Sequence, residues 1–563
     1  MKKYTGASVL LKTLLCQNVD IIFGYPGGAI MPIYDALYDF KDSLRHVLTR
    51  HEQGAIHAAE GYARVTGKTG VCFATSGPGA TNLITGIADA MLDSIPVVCV
   101  TGQVSSNLLG TDAFQEANII SLTSSITKWN FQITKAEEIP YAVAKAFFIA
   151  QNGRPGPVVL DITKDAQFEL IEYFEKSYSF ESNKKWLKPF QDNDIKKAVN
   201  LINHSEKPYL LVGHGVTISK AEKELMEFAE KANIPVACTL LGLSAFRCDH
   251  PLYVGMLGMH GNYGANILTN EADVIIAVGM RFDDRVTGNL NSYAKQAKVI
   301  HIEIDPSEIN KNVYSEAPLL GDAKYILSLL SQEIRKNDHK LWINKFKSCY
   351  EHEYNSVIKH EMESNENDNL KMAKVIDYIS EMTSGNAVLV TDVGQHQMSA
   401  ARYYKFKCQN SLITSGGLGT MGFALPAAIG AKLGAQEREV IAIIGDGGFQ
   451  MNIQELGVIM QEKIPVKIVV LNNGFLGMVR QWQELFFENR LSFTEMHNPN
   501  FIKIVEAYGI KANKAINEKQ LKEYLHEMIL SKESYFLEVC VEKEENVFPM
   551  IPSGAGVSDV RFS

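Results

Sequence analysis

The sequence predicts an α/β protein built from three doubly wound parallel-sheet domains, and three observations predict it. The chain has 563 residues, more than one hydrophobic core accommodates. Short apolar runs alternate with helical patterns in three separate stretches, the signature of parallel sheets covered by helices. Most of these runs end in a glycine-rich turn, where open α/β sheets bind ligands.

In chain order, MKKYTGASVLLKTLLCQNVD has a basic start, but Lys12 interrupts its apolar residues and no small-residue cleavage site follows. It is expected to be an amphipathic helix rather than a leader. The runs VDIIFG, VCFATSG, IPVVCVTG and PVVLDIT, with the intervening helical patterns AIMPIYDALYDF and ATNLITGIADAML, make a first domain over residues 1–170. The polar segment Asp165–Asp194 reads as a linker. PYLLVG, IPVACTLL, ADVIIAVG and AKVIHIEID then make a second domain over 190–345, whose end is helical and charge-rich. EMESNENDNLK, near 361–371, reads as a second linker. AVLVTDVG, LITSGG, EVIAIIGDGG, VKIVVLNNG and YFLEVCV make a third domain over 370–545, followed by a tail over 546–563.

Composition narrows the function. With 55 Lys+Arg against 64 Asp+Glu, a formal charge of -9, the chain is too acidic for a nucleic-acid partner and disfavours anionic membranes. Any anionic substrate must therefore meet a few local cations. The longest uncharged stretch, Cys408–Ala431, carries five Gly and a Pro and reads as a buried loop and helix rather than a membrane span. The eight cysteines are scattered, with no C-x-x-C pair, as in a reducing compartment such as the cytoplasm.

Glycine-rich loops at Gly24–Gly28, Ser76–Gly79, Gly213–Gly215, Gly416–Gly422 and Gly445–Gly448 suit nucleotide-like or diphosphate cofactors, since glycine lets backbone N–H groups approach phosphate. Gly417-Leu418-Gly419-Thr420-Met421-Gly422 matches G-x-G-x-x-G, yet the acidic residue expected at the end of the next strand would have to be Asp446, inside Gly445-Asp446-Gly447-Gly448. A dinucleotide fingerprint is therefore disfavoured. Asp446 and Asn473 instead end successive apolar runs, 27 positions apart, and bring a carboxylate and a carboxamide to one crevice. Both are hard oxygen ligands of the kind Mg²⁺ takes alongside water and a diphosphate, although either turn alone would be unremarkable.

That pattern resembles the thiamine-diphosphate-dependent enzymes acting on 2-oxo acids. Over essentially the whole chain, GYPGGAIMPIYDAL, RHEQGAIHAAEGYAR, SGPGATNL, GTDAFQEA, GMHGNYGAN, RFDDRVTGN, GGLGTMGFALPAAIGA, GDGGFQMNIQEL and LNNGFLGMVRQWQE are similar to the catalytic subunits of the acetolactate (acetohydroxyacid) synthases. The resemblance implies decarboxylation of pyruvate on thiamine diphosphate and condensation of the hydroxyethyl carbanion with pyruvate or 2-oxobutyrate, in branched-chain amino-acid synthesis. It implies that Glu52 hydrogen-bonds the aminopyrimidine of the cofactor and shares its proton; read bare, Glu52 is a helix-start acid. Gly28 matches a position beside the thiazolium, and Gln395, His396, Gly419, Met421, Gly447, Gly448 and Met478 match cofactor-binding positions. Asp446, Asn473 and the backbone carbonyl of Phe475 match metal ligands. Phe114, Gln115, Lys164, Met259 and Met478 match the substrate channel. Arg281 would bind the acceptor carboxylate, and Trp482 would be the wall favouring 2-oxobutyrate; bare, they could be a surface ion pair and a core aromatic.

The same resemblance places FAD, without a net redox role, on Arg154, the segment from Met259, His260 and Gly261 to Arg281, and Glu303 to Asp322. It implies a homodimer or homotetramer in which the Glu52 and Asp446 domains meet across subunits, with a smaller regulatory subunit as partner. Thr163, Trp129 and Ser399 depart from the usual family residues, which puts channel shape and inhibitor binding in question rather than the reaction. Two other readings stand beside it, a flavin-linked pyruvate oxidase and a non-catalytic nucleotide-binding scaffold.

Overall fold

The computed structural model describes residues 3–180, 190, 192–363 and 369–563. Parts of both expected linkers, 181–189 with 191 and 364–368, lie outside the described residues. Three six-stranded sheets follow one another along the chain, each wholly parallel. In spatial order the first holds Arg45–Leu48, Ile21–Gly24, Gly70–Ala74, Val97–Gln103, Val158–Thr163 and Trp129–Ile133. The second holds Tyr253–Met256, Val236–Cys238, Pro208–Val212, Val274–Val278, Lys298–Glu303 and Ala317–Leu320. The third holds Leu412–Thr414, Val388–Thr391, Val440–Gly445, Lys467–Asn472, Tyr535–Cys540 and Lys511–Ala515.

The central strands are apolar throughout because helices cover both faces of each sheet. Five strands, all at sheet edges, carry no such run: Arg45–Leu48, Trp129–Ile133, Tyr253–Met256, Ala317–Leu320 and Lys511–Ala515. An edge strand is only partly covered, so Arg45–Leu48, Trp129–Ile133 and Lys511–Ala515 mix polar and apolar residues, while Tyr253–Met256 and Ala317–Leu320 are short and broken by Gly255 and Pro318.

The first and third layers share one core. Helix Glu52–Thr66 crosses helix Ala424–Gly434, and Ala55, Ala58 and Ala59 pack in one cluster with Ala427, Ala428 and Ala431. The approach is close enough that a Cβ at Gly61 would lie 2.0 Å from the Ala427 carbonyl oxygen, and one at Gly430 1.8 Å from that of Ala58. The amphipathic helix expected at the start is Gly6–Cys16. The residues after 545 pack on the middle domain: Ile551 and Val557 join its core, and Ile551 donates its N–H to the Met259 carbonyl at 2.8 Å. All eight cysteines are free thiols. Among the described residues no helix is long and apolar enough to cross a membrane.

Candidate active site

A cavity of about 1000 Å³ opens where the three domains meet. Arg154, Met259, His260, Arg281, Glu303 and Asp322 line it from the first two domains, and Gly419, Met421, Met478 and Trp482 from the third. The structure thus gathers residues more than 300 positions apart in sequence.

Arg154 bridges two domains. Its Nε donates to Ser94 Oγ at 2.8 Å, and its Nη1 lies 3.3 Å from Asp305 and 3.4 Å from Glu308. Glu303, at the end of its strand, accepts from the N–H groups of Ile304 and Asp305 at 2.8 and 3.1 Å, yet burial pushes it up to about 7. Asp322 is the N-cap of helix Ala323–Glu333, its Oδ1 accepting from the Tyr325 N–H at 3.1 Å, a structural duty beside any ligand contact. Buried His260 leaves its Nε2 without a hydrogen-bond partner, and burial pushes it down to about 4. The carbonyls of His260 and Gly261 accept from Arg402, whose Nη2 is 2.6 Å from Glu353. A half-open cavity of this size, lined by both apolar and charged side chains, fits a large planar group with polar edges, as FAD is.

Arg281 is half-buried in the cavity wall and makes no hydrogen bond or ion pair among the described residues. Its charge acts on Asp283, countering the rise in that carboxyl's pKa that burial causes. Trp482 projects from helix Gly477–Phe486, half-buried, its ring 5.1 Å from that of Phe486.

The carboxyl ends of two neighbouring strands, Val440–Gly445 and Lys467–Asn472, present Asp446 and Asn473, both buried. Asp446 Oδ2 accepts from Asn498 Nδ2 at 2.6 Å and from the Gly474 N–H at 3.1 Å. Asn498 also donates to Asn472 Oδ1 at 3.1 Å and accepts from Gln450 at 2.9 Å. Asn473 Oδ1 accepts from the Phe475 N–H at 3.2 Å, and its Nδ2 lies 3.4 Å from Gln395 Oε1. Gln395 spends its amide on Gln481 and the Glu545 carbonyl. His396 sits against Gly445, its Nε2 buried without a partner and its pKa lowered by burial to about 4. Gly448 is packed on Asp392 and Gly447 on Leu476. A carboxylate and a carboxamide at adjacent strand ends are oxygen donors of the kind Mg²⁺ takes, and the orphaned His396 nitrogen is an unfilled donor or acceptor close to Gly445.

Glu52 starts helix Glu52–Thr66, capped by His51, and is buried. Its Oε2 accepts from Asn82 Nδ2 at 2.9 Å, and Oε1 borders Gly79 of the Ser76–Gly79 loop. Gln115 stands over Gly77 of that loop with φ +59, whereas Phe114 is 87% exposed. Gly28 is exposed with open space over it, and Lys164, half-buried, begins the helix after strand Val158–Thr163. None of these first-domain residues lines the cavity of its own chain. Asn498, Arg402 and the C-terminal contact to Met259 escaped sequence reasoning, because each acts only through long-range contacts. An Asn within HNPN carries no signal by itself.

Three family models match in series: the N-terminal TPP binding domain of thiamine pyrophosphate enzymes over residues 4–122, their central domain over 195–330 and their C-terminal TPP binding domain over 392–539. The chain is similar to the acetolactate synthase isozyme 2 large subunit of Escherichia coli, 45% identical over 99% of each chain. It is 46% identical to the acetolactate synthase large subunit of Lactococcus lactis, over 98% of this chain and 95% of that one. Against acetolactate synthase 1, chloroplastic, of Nicotiana tabacum it is 44% identical over 99% of this chain and 84% of the relative. The chain therefore belongs to the acetolactate synthase large-subunit family of thiamine pyrophosphate enzymes.

Proposed function

We propose that the chain decarboxylates pyruvate and joins the two-carbon fragment to a second pyruvate, giving 2-acetolactate, or to 2-oxobutyrate, giving 2-aceto-2-hydroxybutyrate. The observation that carries this reading is that Arg281 and Trp482 line one three-domain cavity, within a full-length acetolactate synthase likeness. A cation for a second carboxylate is what a condensing enzyme needs and an oxidase does not, so nothing favours the flavin-linked oxidase.

Thiamine diphosphate, when bound, supplies the carbon nucleophile and the electron sink for decarboxylation. Asp446, Asn473 and the Phe475 carbonyl would hold Mg²⁺ and through it the diphosphate. Gln395, His396, Gly419, Met421, Gly447, Gly448 and Met478 would border the cofactor. Glu52 would hold and move a proton at the aminopyrimidine. Gly28, Phe114, Gln115 and Lys164, like Glu52, do not line their own chain's cavity, which supports a site completed by a second copy in a homodimer or homotetramer. Arg154, Met259, His260, Gly261, Glu303 and Asp322 would hold FAD. Arg281 would bind the acceptor carboxylate, and Trp482 would narrow the space around its alkyl group. A smaller regulatory subunit and a cytoplasmic location complete the proposal, the free thiols agreeing with a reducing compartment.

The test is a product assay on purified protein with thiamine diphosphate, Mg²⁺ and FAD, supplied with pyruvate and 2-oxobutyrate. Carbon dioxide and both acetohydroxy acids are expected; folded protein yielding neither acid refutes the proposal. Anaerobic bleaching of the flavin during turnover would instead mark an oxidase.

A further inference from the structure

The Gly416–Gly419 loop borders the cavity, and its leading N–H groups are already occupied. Gly416 donates to Asp93 Oδ2 at 2.9 Å and Gly417 to Asp93 Oδ1 at 2.7 Å. Ser415 Oγ donates to Asp89 Oδ1, and the Thr420 N–H closes the turn onto Ser415 Oγ at 2.8 Å. The N–H that opens the G-x-G-x-x-G stretch, and the one before it, are therefore spent on a carboxylate of the first domain. Behind that carboxylate Arg64 Nη2 lies 2.8 Å from Asp93, 3.5 Å from Glu60 and 3.8 Å from Asp89, all buried. One guanidinium cannot neutralise three buried carboxylates, and burial pushes Glu60 and Asp89 well above the ordinary carboxylate range, so protons make up the difference.

Residues of the second domain reach the same loop. A Cβ at Gly417 would lie 2.9 Å from Leu92 Cβ, 3.1 Å from Asp93 Oδ1 and 3.5 Å from Arg281 Nη2, and one at Gly416 2.8 Å from Leu241 Cγ. One flank of Gly417 thus meets both the anchoring aspartate and the cation expected to receive the acceptor.

We propose that Asp93, held by Arg64, is a positioning residue: it sets the Gly416–Gly417 backbone and so the station of Arg281, and thereby decides whether the two-carbon fragment is passed to an acceptor 2-oxo acid or lost as acetaldehyde. The proposal rests on the acetolactate synthase reading above. In the productive path two pyruvate anions and one proton give one acetolactate anion and one CO₂. In the leak one pyruvate anion and one proton give acetaldehyde and CO₂.

The experiment measures acetolactate and acetaldehyde from the same turnovers of the cofactor-loaded enzyme. Asp93→Asn keeps the shape but weakens the grip on the loop, and should raise the acetaldehyde-to-acetolactate ratio about tenfold, the effect of one lost charge-assisted hydrogen bond. Arg64→Lys should move the ratio the same way by less. The ratio does not depend on how much enzyme is folded, so a variant that is merely unstable lowers both products together. Wild-type ratios in both variants overturn the proposal. If Asp93→Asn does not fold, Ser415→Ala, which cuts the loop's second anchor without altering charge, decides on the same criterion. Wild-type protein that makes no acetolactate refutes the underlying reading, a result distinct from active variants that keep the wild-type ratio.

Discussion

Glu52 sits where an ordinary helix-start acid would be solvated, yet it is buried against Asn82 and the Ser76–Gly79 loop. Removing its charge should cost about 100- to 10,000-fold in rate, the usual contribution of a positioned proton carrier. Glu52→Gln, assayed for acetolactate with thiamine diphosphate binding measured in parallel, checks this; retained activity removes the assignment. Asn498 holds the Asp446 carboxylate at 2.6 Å, so Asn498→Ala should weaken metal binding about 10- to 100-fold, read from the Mn²⁺ spectrum in the presence of thiamine diphosphate. An unchanged affinity would show that Asp446 needs no such support. Glu455 accepts from the Arg50 N–H at 3.1 Å, and burial pushes it up to about 7 against an ordinary 4.5. Because its folded pKa is raised, the stability it lends is complete below pH 4.5 and is lost as pH climbs through about 7, roughly 3 kcal/mol in all. Thermal unfolding followed from pH 5 to 8 should show this, and Glu455→Gln should flatten the pH dependence; parallel curves for the two proteins would count against it.

At the scale of elements, the crossing of Glu52–Thr66 with Ala424–Gly434 ties the helix that presents Glu52 to the domain that presents Asp446. Gly430→Ala would put a methyl 1.8 Å from the Ala58 carbonyl oxygen and force the helices apart, costing about 1–3 kcal/mol or more. A melting temperature equal to wild type would show that the crossing is looser than its geometry implies. The elements legible in the sequence were the central strands, buried on both faces and written as unbroken apolar runs such as Val274–Val278. Arg45–Leu48 or Lys511–Ala515 were not legible, since half-covered edges carry the same mixture of residues as loops.

For the whole molecule, the first-domain residues expected at the cofactor lie outside the cavity of their own chain. If a second copy completes the site, Glu52→Gln and Asp446→Asn proteins, each inactive alone, should regain about one quarter of wild-type activity after mixing and subunit exchange. Half of the dimers are then hybrids with one intact site of two. No recovery, with exchange verified, would place both residues in a site within one chain.

The class of fold, and the meeting of Asp446 and Asn473 at one end of the third sheet, could be read from the sequence. Asp446 and Asn473 end neighbouring apolar runs, and a strand's carboxyl end is where an α/β sheet binds its ligand, so residue type and local position sufficed. Tertiary structure alone decided what the Gly416–Gly422 loop is for. Its glycine spacing suits a phosphate, but its first two N–H groups are claimed by Asp93, more than 300 residues away, and no local pattern records which distant carboxylate the fold will press against a loop.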